Sequence, residues 1–278
     1  MHGDSSIHVF LARPDALVPP GAAEAVARSL DDADRLHIAR FRFPRDRSIA
    51  TASRMLQRLA IGRVAQIPPS DMHSIRFSSS TGARPALQEP ASARMIDFSA
   101  ANTDGLVACA VSCSTRIGVD IEKLQPALAP GLLEYCCTPG EQLRLSRLPG
   151  DQQPCAFFQL WTLKEAYLKA RGIGLQVSPQ LLGFHLADLG GTPLLEADAA
   201  IEANPRYWHF RMLDAGNAHA ASLCAYGEDH ALPPVMLWWC SWSGQGFVFQ
   251  RQLADSRESS GLASREGFLA FDTPANHP

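Results

Sequence analysis

Apolar positions along the chain alternate between two spacings. Ile7–Pro14, IHVFLARP, reads as a first strand. Leu30–Phe41 reads as a helix with Asp31 and Asp32 near its start. Asp46–Ala65 reads as a longer helix, because Ile49, Ala52, Leu56 and Leu59 recur at helical spacing. Pro68 and Pro69 end it and lead into a short strand, and Ser78–Leu87 is a loop rich in Ser, Gly and Pro. Gly105–Ser112 and Arg116–Leu124 follow as strands, with SCSTR between them predicted as a hairpin turn. A short helix is expected to start near Thr138–Glu141, and Gln153–Gly172 is the best helical pattern in the chain, stopped by Gly172. Leu181–Leu189, Tyr207–Leu213 and His219–Tyr226 read as an antiparallel set of strands. Each half thus runs strand, helices, Pro-containing turn, strands, which hints at an internal duplication despite poor identity. Past Trp242 the periodicity is lost, and an exposed, disordered tail is expected.

Composition narrows the class only modestly. The chain has 278 residues, of which 46% are hydrophobic, enough for one large core or two smaller ones. Its net charge of −3 gives no reason to expect nucleic acid, although Arg40, Arg42, Arg45 and Arg47 form a local basic cluster. Seven cysteines occur without a C-x-x-C pair, MHGDSSIHVF lacks a secretory pattern, and no run of about 18 apolar residues exists. A reduced cytoplasmic protein with mostly buried thiols and no membrane segment is the expectation.

Two stretches carry candidate chemistry. In IGVDIE, Asp120 and Glu122 project to one face of a strand and Ile117, Val119 and Ile121 to the other. Neighbouring carboxylates repel unless a cation or solvent intervenes, and magnesium favours hard oxygen ligands. A solvated strand face would explain a bare D-x-E equally well. In FFQLWTLKEAYLKA, Phe157, Leu160, Leu163, Tyr167 and Ala170 form the apolar stripe, while Trp161, Glu165 and Lys169 share another face. Glu165 and Lys169 could be an ordinary i,i+4 pair. Facing the strand instead, Glu165 would complete a three-carboxylate cation site, with Lys164 and Lys169 available for phosphate oxygens.

GVDIE followed some forty residues later by WTLKEAYLKA resembles the paired signature of the surfactin-type 4′-phosphopantetheinyl transferases. ARFRFPRDR (39–47), GARPAL (82–87) and RGIGLQVSP (171–179) resemble further elements of that family, and the likeness spans roughly Ile7–Tyr226. FSAANT (98–103) departs from it: Asn102 stands where a histidine is usual, and Ala101 replaces a serine. Asparagine still donates a hydrogen bond but carries no charge.

The resemblance implies an α+β fold of two similar halves in pseudo-twofold arrangement, with antiparallel sheets and packed helices. Residues 1–115 would form the first half, 116–240 the second with the metal site, and 241–278 a C-terminal extension. It implies transfer of the 4′-phosphopantetheine arm of coenzyme A to a serine of an apo acyl-, aryl- or peptidyl-carrier protein, by a monomer. Asp120, Glu122 and Glu165 would hold Mg²⁺. Glu165 and Lys169 would be catalytic, and Arg40, Arg47, Arg84, Asn102, Thr103, Lys164 and Lys169 would bind coenzyme A. A non-catalytic binding homologue is the alternative that Asn102 leaves open.

Overall fold

The computed structural model describes residues 5–78, 84–185, 192–228 and 231–252. The first half contains β1 (Ile7–Ala12), α1 (Pro14–Leu17), α2 (Ala23–Ser29), α3 (Asp32–Ala39), α4 (Pro44–Ala65), β2 (Arg76–Phe77), β3 (Leu87–Glu89), β4 (Asp97–Thr103) and β5 (Leu106–Ser112). The second contains β6 (Ile117–Lys123), α5 (Leu132–Cys136), α6 (Pro139–Ser146), α7 (Gln153–Arg171), β7 (Leu182–His185), β8 (Leu194–Ala197), β9 (Trp208–Met212) and β10 (His219–Tyr226). The chain then adds β11 (Val235–Trp242) and β12 (Phe247–Gln252).

One topology occurs twice. β1-β5-β4 and β6-β10-β9 are each a first strand paired with the last of the half, which pairs in turn with the middle one. α4 packs on the first set and α7 on the second, and each half carries a two-stranded ribbon, β2-β3 or β7-β8. Alternation along the strands sorts their side chains into three cores. Phe10, Cys109 and Val111 face α4, and Phe210, Ala220 and Cys224 face α7. Val9, Leu11, Ala108 and Ala110 meet Val119, Ile121 and Leu223 between the two sheets. The result is four layers, helix, sheet, sheet and helix.

Three sequence expectations are corrected. SCSTR is not a hairpin: β5 is paired on both sides, by β1 and β4, so β6 joins the other sheet. The hairpin lies one step earlier, between β4 and β5, where Asp104-Gly105 supplies the turn with Gly105 at φ +81°. Of the predicted strand Leu181–Leu189, Leu182–His185 pairs with β8 rather than with β9 or β10, and 186–189 lie outside the described residues. Third, the boundary drawn at residue 240 falls inside β11, which runs parallel to β1, and β12 pairs antiparallel to β11. The start of the supposed tail is therefore the edge of the first half's sheet. Its remainder, 253–278, lies outside the described residues, as do Gly82 and Ala83 of the GARPAL stretch.

β4 and β6 join the halves without a backbone ladder. Asp97, Ser99 and Thr103 side chains of β4 accept the β6 amides of Ile117 at 2.7 Å, Val119 at 3.1 Å and Lys123 at 3.2 Å. Each pair is twenty residues apart, so the strands run parallel in constant register. Ala101, at the intervening step, has no hydroxyl to offer.

A second device repeats in each half. Lys164 of α7 is fully buried and its ammonium donates to Cys136 O at 2.7 Å, Glu141 Oε2 at 2.5 Å and Pro179 O at 3.2 Å. Glu141 also accepts Thr138 N in a capping box and Phe184 N at 2.9 Å. Arg58 of α4, also fully buried, donates to Asp34 at 2.7 Å, Met72 O at 2.7 Å and Ile75 O at 2.9 Å. Asp34 and Glu141 both lie three residues after the N-cap of a short helix, Asp31 for α3 and Thr138 for α6. Among the described residues no helix is long and apolar enough to cross a membrane.

Gly118 sets how closely α7 lies on β6: a Cβ there would stand 1.9 Å from Ala166 O and 2.6 Å from Ala170 N. Gly118→Ala must push the helix backbone away and should cost at least the upper end of the ~1–3 kcal/mol typical of overpacking, read by urea denaturation. Lys164→Met strands a buried carboxylate and should lose about 3–5 kcal/mol. Adding Glu141→Gln in the same chain should recover a large part of that loss, which a double-mutant cycle measures.

Candidate active site

The close approach at Gly118 turns one face of α7 onto one face of β6. Within Trp161–Ala170 only Trp161, Glu165 and Lys169 keep contact with solvent; the other seven positions are buried. These three, four residues apart, meet the strand positions Asp120 and Glu122. Lys169 Nζ donates to Asp120 Oδ1 at 2.7 Å, and Trp161 Nε1 to Glu122 Oε1 at 3.3 Å. Thr103 Oγ1 reaches Glu122 Oε2 at 3.5 Å from across the junction of the halves. Glu165 lies between, close enough to feel both other carboxylates and Lys169.

All three acids are pushed toward higher pKa. Burial is the chief cause for each. For Glu122 the Asp120 charge adds to it, and for Glu165 both neighbours do. Lys169 opposes the shift at Asp120 without cancelling it. Asp120 Oδ2 is buried and has no hydrogen-bond partner among the described residues. A buried carboxylate oxygen without a donor is costly, and a hard cation would satisfy it. The donor chemistry therefore fits Mg²⁺, although among the described residues no three His, Cys, Asp or Glu side chains are gathered closely enough to hold a metal as they stand.

A cleft of about 540 Å³ adjoins this cluster, between α4, β4 and the end of α7. Lys169 lines it and so links it to the carboxylates. Its other polar walls include Arg84, Asn102, His37, Arg54, Gln57 and Asp46. Gly172, in the left-handed region at φ +70°, ends α7 at the rim.

Of the residues predicted to bind coenzyme A, Arg84, Asn102 and Lys169 line this cleft. Arg84 is also a tie between the halves, donating to Asp97 at 2.8 Å, Phe98 O at 2.8 Å, Ile117 O at 2.6 Å and Ala170 O at 3.1 Å. Thr103 serves β6 and Glu122 instead of the cleft wall. Arg40 and Arg47 are exposed and outside the lining, beside Phe41 and Asp46, which are in it. Lys164 is corrected: its three N–H groups are spent inside the protein and none is left for a phosphate.

Sequence reasoning missed Arg54, Gln57 and His37. Arg54 and Gln57 are three apart on the polar stripe of α4 and hydrogen-bond at 3.3 Å, a spacing that was readable. It also missed Asp104, whose carboxyl accepts from Lys123 at 2.6 Å and pairs with Arg45. Those two partners hold it down to about 2.

Residues 116–224 match the family described as the 4′-phosphopantetheinyl transferase superfamily, and residues 20–114 match 4′-phosphopantetheinyl transferase, N-terminal. The chain is 28% identical over 211 residues to 4′-phosphopantetheinyl transferase HetI of Nostoc, covering 69% of this chain and 88% of that protein. It is 28% identical over 240 residues to a phosphopantetheinyl transferase of Thraustochytrium, covering 82% and 80%. Among solved structures it resembles Thermotoga maritima holo-[acyl-carrier-protein] synthase at 20% identity over 41% of this chain and 65% of that one, with a TM-score of 0.32, a likeness too slight to argue from. With both halves matched in order and the paired motifs meeting across α7 and β6, the chain belongs to the 4′-phosphopantetheinyl transferase superfamily.

Proposed function

We propose that this protein transfers the 4′-phosphopantetheine arm of coenzyme A to a serine hydroxyl of an apo carrier protein, in the manner of the surfactin-type enzymes. The observation that carries this reading is the meeting of Asp120, Glu122, Glu165 and Lys169 at the edge of a cleft walled by Arg54, Arg84 and Asn102. The duplicated topology within one chain supports the surfactin-type assignment.

Asp120, Glu122 and Glu165 would hold Mg²⁺, which supplies positive charge to the pyrophosphate of coenzyme A. The acceptor serine Oγ forms a bond to the β-phosphorus while the bond from that phosphorus to the bridging oxygen breaks. Adenosine 3′,5′-bisphosphate leaves with the electron pair. Glu165 takes the serine proton, directly or through water. Lys169 neutralises charge growing on the phosphates, which is how positioned cations accelerate phosphoryl transfer. Arg84 and Asn102 bind the nucleotide side of coenzyme A, and Arg40 and Arg47 flank the entrance. The intact set of acids and Lys169 favours a working enzyme over a non-catalytic homologue.

The direct test is intact-mass spectrometry of apo carrier proteins incubated with this protein, coenzyme A and magnesium. A mass gain of one phosphopantetheine arm is expected, lost with chelator and with Glu165→Ala. No gain across acyl-, aryl- and peptidyl-carriers would overturn the reading. Burial and mutual repulsion push the three carboxyls upward in the metal-free protein, so protons compete with the cation there, and the Mg²⁺ concentration for half-maximal transfer should rise on acidification. Stability should show the opposite sign. A raised native pKa means that the folded state binds the proton more tightly, so this contribution is present at low pH and lost as pH rises through the native pKa. Glu165→Gln should therefore raise Tm at neutral pH without divalent cation, and the gain should shrink toward acid, as followed by calorimetry.

A further inference from the structure

The ion pair between Lys169 and Asp120 joins two groups that the transfer reaction would use separately. Lys169 belongs to the wall of the cleft that Arg54 and Arg84 also line, with about a third of its side chain exposed, while Asp120 is almost wholly buried beside the other two acids. At 2.7 Å the ammonium takes one carboxylate oxygen, and the other is buried without a hydrogen-bond partner among the described residues. A buried carboxylate oxygen without a hydrogen-bond donor, on a group whose charge is felt by two more carboxylates, is a position for a cation that the lysine only half fills. An ammonium satisfies one oxygen at a time, whereas a divalent ion can draw several carboxylates together.

We infer that Lys169 is an internal stand-in for the divalent cation and changes partners when ligands bind. A metal ion entering the carboxylate cluster takes Asp120, and the released ammonium turns into the cleft, where an anionic phosphate takes it. The side chain springs from a partly exposed position in the last turn of α7, so the exchange needs rotamer changes and no backbone movement. Two consequences follow from linkage. The metal alone binds against the lysine and is weakened by it. A phosphate ligand that captures Lys169 strengthens the metal, and the metal strengthens the phosphate ligand by the same factor. The first consequence stands on the ion pair alone; the second rests on the reading of the cleft as the coenzyme A site.

The test is direct binding of Mn²⁺, counted as free ion by electron paramagnetic resonance, to the full chain without coenzyme A or carrier. Lys169→Met, which keeps the length and removes the charge, should bind Mn²⁺ at least about 5-fold more tightly than wild type, the low end of ordinary coupling energies. Lys169→Arg, which keeps the charge, should stay near wild type. Asp120→Asn should lose the binding in either background. Unchanged or weaker Mn²⁺ binding in Lys169→Met overturns the exchange, whatever the transfer activity proves to be. Repeating the titration with coenzyme A should tighten Mn²⁺ in wild type more than in Lys169→Met. Equal tightening in both overturns the role of Lys169 as the link. A tighter Lys169→Met with no coenzyme A effect in either protein supports the stand-in and counts against the coenzyme A reading instead.

Discussion

The site depends on a helix lying almost in contact with a strand. Gly118 has no Cβ, so the backbone of α7 at Ala166 and Ala170 settles directly over β6. Any larger residue would lift the helix, and Trp161, Glu165 and Lys169 would lift with it. Close packing normally serves stability. Here it also forces three carboxylates into a space where each raises the others' cost of ionisation, a charge arrangement no core would choose for itself.

The rest of the second half supports that strained face from behind. Lys164, adjacent to Glu165 in sequence, points away from it and ties α5, α6 and the turn before β7 to the back of α7. Two neighbouring charges in one motif thus differ in place, Lys164 holding the helix and Glu165 joining Asp120 and Glu122 of β6. The first half keeps the holding device, with Arg58 and Asp34 in the same topological places, but not the acidic face. At the β6-equivalent strand, β1, the residues are IHVFLA, with no carboxylates. The two halves therefore share the means of fixing a long helix to its sheet, while the carboxylate cluster lies in one half and the other lends α4 and β4 to the cleft wall.

The junction between the halves is unusual in using side chains for strand pairing. Asp97, Ser99 and Thr103 take the amides that a neighbouring backbone would ordinarily take. Arg84 closes the same seam by donating to both halves. Thr103 belongs both to the seam and, through Glu122, to the carboxylate cluster, so the fit between halves bears on the orientation of an acid.

Much of this was legible in the residues alone. Period-2 alternation in IGVDIE and the four-residue spacing of Trp161, Glu165 and Lys169 determine which side chains share a face, because backbone geometry admits little else. The Gly172 stop of α7 is local chemistry of the same kind, whereas α4 starts at Pro44, two residues before the Asp46 read from the sequence. What local pattern cannot decide is which of two faces meets a partner and which partner it meets. That Lys164 turns inward to Glu141, that SCSTR separates two sheets, and that Phe247–Gln252 completes the sheet begun by Ile7–Ala12 all rest on contacts between residues far apart in the chain. Such contacts depend on three-dimensional packing, for which a linear pattern carries no coordinate, and so the tertiary structure alone decided them.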